Sequence, residues 1–291
     1  MRKPNFFIVG HTRSATSSLL DQLKQHPDVF IIHTGTGYTP AFFGYSPLIK
    51  TEEKYLELFS NAKNEKCVGE KNTDNVMCEE SAPKIKKHYP DAKIIICLRN
   101  PIDVMYSKHS QQIMLTMESL TDFKEAIKIG PERERINKEK PGTYDENLLY
   151  RKTVRYPEQI KRYFDLFGKE KIHIRILDDV IKDELLAFKK TCEFLEVNPD
   201  FKPKIVHKNA IRHYRMRSLQ ALVKKMEGTK TRKILSKIPG IQKSYNFANL
   251  PHVKRVPLDV NFKNKLYKEF EPEIKELSKI LDRDLSFWLN N

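Results

Sequence analysis

The chain has 291 residues, 39% of them hydrophobic and 31% charged, enough to bury one large core as a single α/β domain. No run approaches the ~18 consecutive apolar residues of a membrane-spanning helix, and the N-terminal MRKPNFFIVG meets Gly10, His11 and Arg13 before a secretory signal develops, so the expected compartment is cytoplasmic. The net charge of +15 sits almost wholly in residues 201–255, where fifteen Lys and Arg face one acid, Glu227; such a segment demands a polyanion nearby and does not say whether it is a nucleotide, an acidic glycan, a nucleic acid or an anionic membrane surface.

In chain order, Asn5 to Val9 is an apolar run that reads as a buried strand. A helix follows from Ser14, with Leu19, Leu20 and Leu23 on one face, and ends near His26-Pro27. Val29 to Ile32 is a second strand, 33–50 a Gly-, Thr-, Tyr- and Pro-rich loop, Glu53 to Phe59 a short helix, and Cys67 to Gly69 a short strand. Ser81 to Tyr89 is a helix closed by Pro90, Lys93 to Leu98 a β-branched strand, and Pro101 the first residue of another helix. Residues 129–147 are polar and read as a mobile excursion. Tyr156 to Phe167 is an amphipathic helix stopped by Gly168, Lys171 to Leu177 a strand, and Asp183 to Leu195 a helix. The last helix, Asp259 to Leu281, carries Phe262, Leu266, Phe270, Ile274 and Leu277 on one stripe. Alternating strands and helices with short links predict an α/β fold, a P-loop-like parallel sheet flanked by helices on both faces. The four cysteines match no zinc or redox spacing and read as free thiols.

The chemistry begins at Gly10-His11-Thr12-Arg13-Ser14-Ala15-Thr16-Ser17-Ser18, between a strand and a helix. That setting gathers free N–H groups and the positive helix end at one point, which suits a phosphate; the plain alternative is a serine helix cap. A P-loop NTPase requires G-x-x-x-x-G-K-[ST], whereas Ala15 stands at the second glycine and Thr16 at the lysine. The cation comes earlier, at Arg13. A second candidate is DAKIIICLRNPIDVMYS, where a strand delivers Arg99 to its carboxyl end and Ser107 lies about two turns into the next helix. Both reach one phosphate in principle, the arginine by a bidentate fork; alternatively Arg99 pairs with Asp103.

These two motifs resemble those of the sulfotransferases that use 3′-phosphoadenosine-5′-phosphosulfate (PAPS). GHTRSATSSL and LKQHPDV are similar to the family's 5′-phosphosulfate loop and its continuation, and Leu98-Arg99-Asn100-Pro101 with Ser107 to its 3′-phosphate motif. GEKNTDN, YPEQIKRYFDLFG and LDRDLSFW extend the likeness over most of the chain. Departures are Ala15 for glycine and Val104 where an arginine is frequent. The resemblance implies a sulfotransferase moving a sulfuryl group from PAPS to an acceptor hydroxyl or amine, on a glycan among other choices, with 3′-phosphoadenosine-5′-phosphate (PAP) as product and no metal. It implies that Arg13 holds the leaving phosphate, that Ser14, Ala15, Thr16, Ser17, Ser18, Arg99, Ser107 and Tyr156 line the donor, and that Arg212 belongs to a basic lid.

A general base is harder to place. Glycan-type relatives carry a glutamate where this chain has Thr39, which cannot act as a base near neutral pH. His11, His33 and Glu70 remain as candidates, and Lys71 is a candidate contact to donor or acceptor. Two rival functions stay open: a P-loop-like nucleotide kinase, against which the missing lysine counts, and a nucleic-acid or glycan-binding protein with a catalytically weak donor site. Sparse aromatics in 201–255 argue against nucleic acid.

Overall fold

The computed structural model describes residues 1–34, 41–44, 48–143, 145–205 and 257–289. Five parallel strands, β1 (Phe6–Gly10), β2 (Val29–His33), β3 (Cys67–Lys71), β4 (Lys93–Leu98) and β5 (Ile172–Ile176), form one sheet in the order β2-β3-β1-β4-β5. β1 is buried throughout, as a central strand covered on both faces must be. The helices are α1 (Thr16–Leu23), α2 (Glu52–Glu57), α3 (Ser81–His88), α4 (Pro101–Met114), α5 (Phe123–Lys128), α6 (Gly130–Glu139), α7 (Tyr150–Thr153), α8 (Tyr156–Phe167), α9 (Leu177–Lys182), α10 (Glu184–Leu195) and α11 (Val260–Leu281).

One face of the sheet packs Phe6, Ile8, Ile95 and Cys97 against Leu19 and Leu23 of α1 and Phe188 and Cys192 of α10. On the other, Phe7 meets Phe43 and Tyr89, and α3 lies against α8. The expected helix-flanked parallel sheet is therefore what forms. The chain leaves β1 toward β2 on one side and leaves β4 toward β5 on the other. Connections thus diverge above the neighbouring ends of β1 and β4, the place where open α/β sheets bind ligands.

Internal contacts divide the chain into two compact units. The first comprises Met1–Val104, Lys152–His207 and Tyr267–Asn291 and holds the sheet; the second comprises Met105–Arg151 and Lys208–Leu266. Within the second unit, residues 129–147 are not the irregular excursion their polarity suggests. Pro131 stands in the first turn of α6, where its missing N–H costs nothing. Arg133 turns inward and makes a two-pronged ion pair with Glu118, at 2.7 and 2.9 Å, beside the Tyr150 hydroxyl at 2.9 Å. A buried ion pair held by two hydrogen bonds ties together a segment that has little apolar surface. α5, α7 and α9 are also not anticipated; in α9 the one buried residue, Val180, leaves no stripe to read.

Candidate active site

The loop from Gly10 to Ser18 leaves the carboxyl end of β1. A methyl group on Gly10 would lie 2.2 Å from Val76 Cγ1, so only glycine lets the loop start this close to the segment after β3. His11 N–H donates to the Cys97 carbonyl at 2.7 Å, tying the loop to β4. Arg13 and Ala15 have φ of 63° and 57°, left-handed values that curl a backbone into an anion nest. Ala15 caps α1 with no side-chain bond. The first i−4 bond runs from Leu19 N to Ala15 O, so the N–H groups of Thr16, Ser17 and Ser18 precede the helical ladder, as at a phosphate-binding helix end. The serine-cap alternative fails, since Ser14 Oγ reaches only Thr12 O, at 3.5 Å.

Arg99 follows β4 and is partly exposed. Its Nη1 approaches the Arg13 carbonyl at 3.4 Å, and its Nη2 pairs with Asp103 at 2.9 Å. The local ion pair with Asp103 that the sequence offered as the alternative forms, and the guanidinium also lies against the Gly10–Ser18 loop. Asn100 receives the Ile102 N–H on its Oδ1 and donates its Nδ2 to the Trp288 carbonyl at 2.8 Å. Trp288 Nε1 donates in turn to Asp178, so the C-terminal end of the chain braces the Arg99 turn. Tyr156 is 2% exposed and donates its hydroxyl to the Arg99 carbonyl at 2.9 Å, its ring packed on His11 and Trp288. Tyr156 is thus packed in the core and holds the Arg99 carbonyl.

Ser14 and Thr16 are buried, Ala15 and Ser18 half-buried, and Arg13 and Ser17 exposed. Ser18 Oγ donates to Glu184 at 2.9 Å, turning toward α10. Ser107 is a buried residue of α4, in the second unit. Arg212 and Thr39 lie outside the described residues, as does 201–255 from 206 onward.

Glu70 and Lys71 end β3 and, as neighbours in a strand, point to opposite faces. Glu70 is 0% exposed and accepts hydrogen bonds from Thr34 and Tyr55. It pairs with neither Lys71 nor Arg13, the partners its sequence position suggests. Burial pushes its carboxyl up, against the pull of those donors. Lys71 is 3% exposed, and its Nζ lies 3.3 Å from His33 Nε2. Burial lowers its pKa, and burial together with Lys71 lowers that of His33 to about 4. His11 is wholly buried beside Tyr156. Thr34 and Tyr55 were not legible as site residues, because only the pairing of β2 with β3 brings Thr34 to Glu70 and only the packing of α2 brings Tyr55 there. No group of acids, histidines and cysteines able to hold a metal exists among the described residues.

A parallel sheet of this order, with a glycine-led loop running into a helix at its carboxyl edge, defines a P-loop-like nucleotide-binding α/β protein. Its loop carries Thr16 where the ATPases carry their lysine and places its cation earlier, at Arg13. The chain belongs to the sulfotransferase domain family, whose model matches residues 3–250. A sulfotransferase from Alicyclobacillus acidocaldarius superposes with a TM-score of 0.72 at 26% identity, covering 99% of each chain. A mouse sulfotransferase complexed with PAP shares the fold, with a TM-score of 0.50 at 16% identity over 100% of this chain and 89% of that one. Among curated proteins, human heparan sulfate glucosamine 3-O-sulfotransferase 6 is 29% identical over 119 residues, 40% of this chain and 32% of the relative. The membrane-associated sulfotransferase kil1 of Dictyostelium discoideum is 28% identical over 107 residues, 36% and 22% respectively. The chain thus aligns with a third or less of the length of these two relatives.

Proposed function

We propose that this protein transfers a sulfuryl group from PAPS to a hydroxyl or amine of a carbohydrate acceptor. The observation that carries the reading is the contact of Arg99 with the Arg13 carbonyl, which sets two arginines from adjacent strand ends side by side at one edge of the sheet. The residues fit PAPS on structural grounds: a left-handed loop, a helix end whose first N–H groups precede the ladder, and buried hydroxyls at Ser14 and Thr16. Bound PAPS supplies the sulfuryl group and a phosphate leaving group. Arg13 and the first turn of α1 offset the charge that grows on that phosphate. Arg99, braced by Tyr156 and Asn100, takes the 3′-phosphate. Lys71, on the same face as α1, adds a cation beneath the loop.

For the base, Glu70 is favoured over the histidines. Burial raises its proton affinity toward the working range. His33 accepts from Lys71 through Nε2 and is held at about 4, and His11 packs inside the Arg99 support. The glycan named for the human relative and the basic segment 201–255 together favour an anionic carbohydrate acceptor over nucleic acid. Four cysteines, all buried and unlinked, support a reducing, cytoplasmic setting.

Calorimetry with PAP tests the donor site, followed by labelled-donor turnover on glycan acceptors. Arg13→Ala is expected to lower kcat by about a hundredfold or more with the fold intact. Arg99→Ala should weaken PAP far more than adenosine 5′-phosphate, which lacks the 3′-phosphate. Glu70→Gln should cut kcat about a hundredfold and flatten the acidic limb of the pH profile. Unchanged PAP binding and turnover in the two arginine variants would refute the assignment.

A further inference from the structure

β5 is an edge strand in which Ile alternates with His173 and Arg175. Register sets Arg175 directly across from Cys97 of β4, and the guanidinium faces that thiol. The Cys97 carbonyl is the one that holds His11 N–H at the start of the donor loop. From the helical layer, Glu184 at the head of α10 accepts from Ser18 Oγ at 2.9 Å and Gln22 Nε2 at 2.6 Å, drawing the first turn of α1 over the same corner. Arg175 is 3% exposed, and among the described residues no oxygen or nitrogen accepts a hydrogen bond from any of its three nitrogens. Glu184 influences it only through its field.

A guanidinium cannot discharge itself by losing a proton, so its burial without a bonded anion weakens the ligand-free fold. An apolar side chain would fill the place at lower cost. Lys71, the second deeply buried cation of this face, also lies in the field of Cys97. Two cations therefore flank Cys97 beneath a loop built to hold phosphate.

Resting on the donor-site reading, we propose that Arg175 is a donor-affinity residue. From below the loop it adds positive potential where the phosphates sit and strengthens nucleotide binding without touching the nucleotide. The position trades stability of the ligand-free chain for affinity.

The test compares wild type, Arg175→Met and Arg175→Lys by calorimetry with PAP and with adenosine 5′-phosphate, and by thermal unfolding without nucleotide. Arg175→Met should unfold at a higher temperature than wild type yet bind PAP about tenfold more weakly, ~1.4 kcal/mol. Its loss for adenosine 5′-phosphate should be smaller, because that ligand carries less charge. The gap between wild type and Arg175→Met should narrow as salt rises, and Arg175→Lys should keep most of the affinity. Equal PAP affinity in wild type and Arg175→Met overturns the proposal while leaving the donor site standing. So does an Arg175→Met chain that unfolds earlier or does not fold, since that makes the arginine structural. If wild type itself fails to bind PAP, the donor site falls and Arg175 falls with it.

Discussion

His33 shows how one residue's surroundings decide its chemistry. In sequence it is a histidine at a strand end, a natural base. In the fold, burial and the Lys71 ammonium hold its pKa at about 4, well below the ~6.5 of a free imidazole. Between those values the unfolded chain binds a proton that the native protein refuses, so stability rises with pH across the window and is complete above it. As pH falls toward 4 that contribution is lost. His173, half-buried beside Phe194 and bonded to Thr191, is also held at about 4 and acts in the same direction. Urea unfolding of wild type and His33→Gln from pH 4 to 7 should give a shallower pH slope in the variant. Parallel curves would show that His33 keeps an ordinary pKa.

The same contrast explains which candidate site residues were legible. Arg13, Arg99 and Ser107 stand in local patterns, strand then loop then helix, that a linear reading resolves. Arg175 does not. An arginine alternating with isoleucine on an edge strand reads as a solvent-facing residue, and only the packing of α1 and α10 across that face buries it.

At the scale of elements, the Glu118–Arg133 pair ties α6 to the segment that follows α4. Burial alone would raise the Glu118 carboxyl, but hydrogen bonds from Arg133, the Leu120 N–H and Tyr150 outweigh it and hold the pKa below the usual range. A depressed carboxylate contributes stability that is present above its unfolded pKa and disappears as pH drops through the folded one. Arg133→Met takes the cation away from the buried Glu118 carboxylate and is expected to cost about 3–5 kcal/mol. The double variant Arg133→Met with Glu118→Leu should recover much of that loss, since no charge is then stranded. Chemical denaturation of the three proteins measures both. Equal stability of wild type and Arg133→Met would mean that the pair holds nothing together. Sequence polarity pointed to an irregular segment here because neither partner reveals from its own neighbours that it will be buried.

For the molecule as a whole, the site is an electrostatic one on a chain of charge +15. Ligand that binds only the folded form stabilises it by mass action, about 2.7 kcal/mol at a hundredfold excess over Kd. PAP should therefore raise the unfolding temperature in a concentration-dependent way, with the shift shrinking as salt is added. Adenosine at the same concentration should give almost none. Scanning fluorimetry reads all of these, and an adenosine shift equal to that of PAP would show that the phosphates contribute nothing.

The sequence by itself determined the strand–helix alternation, the parallel sheet and the two arginine motifs, because hydrophobic period, glycine and proline act over a few neighbouring residues. Tertiary structure alone decided that Glu70 meets Thr34 and Tyr55 rather than Lys71, that Tyr156 and Trp288 brace the Arg99 turn, and that Arg175 is buried. Each of these depends on strand order or on packing between distant segments, and the dielectric around a charge is set by what the rest of the chain folds over it.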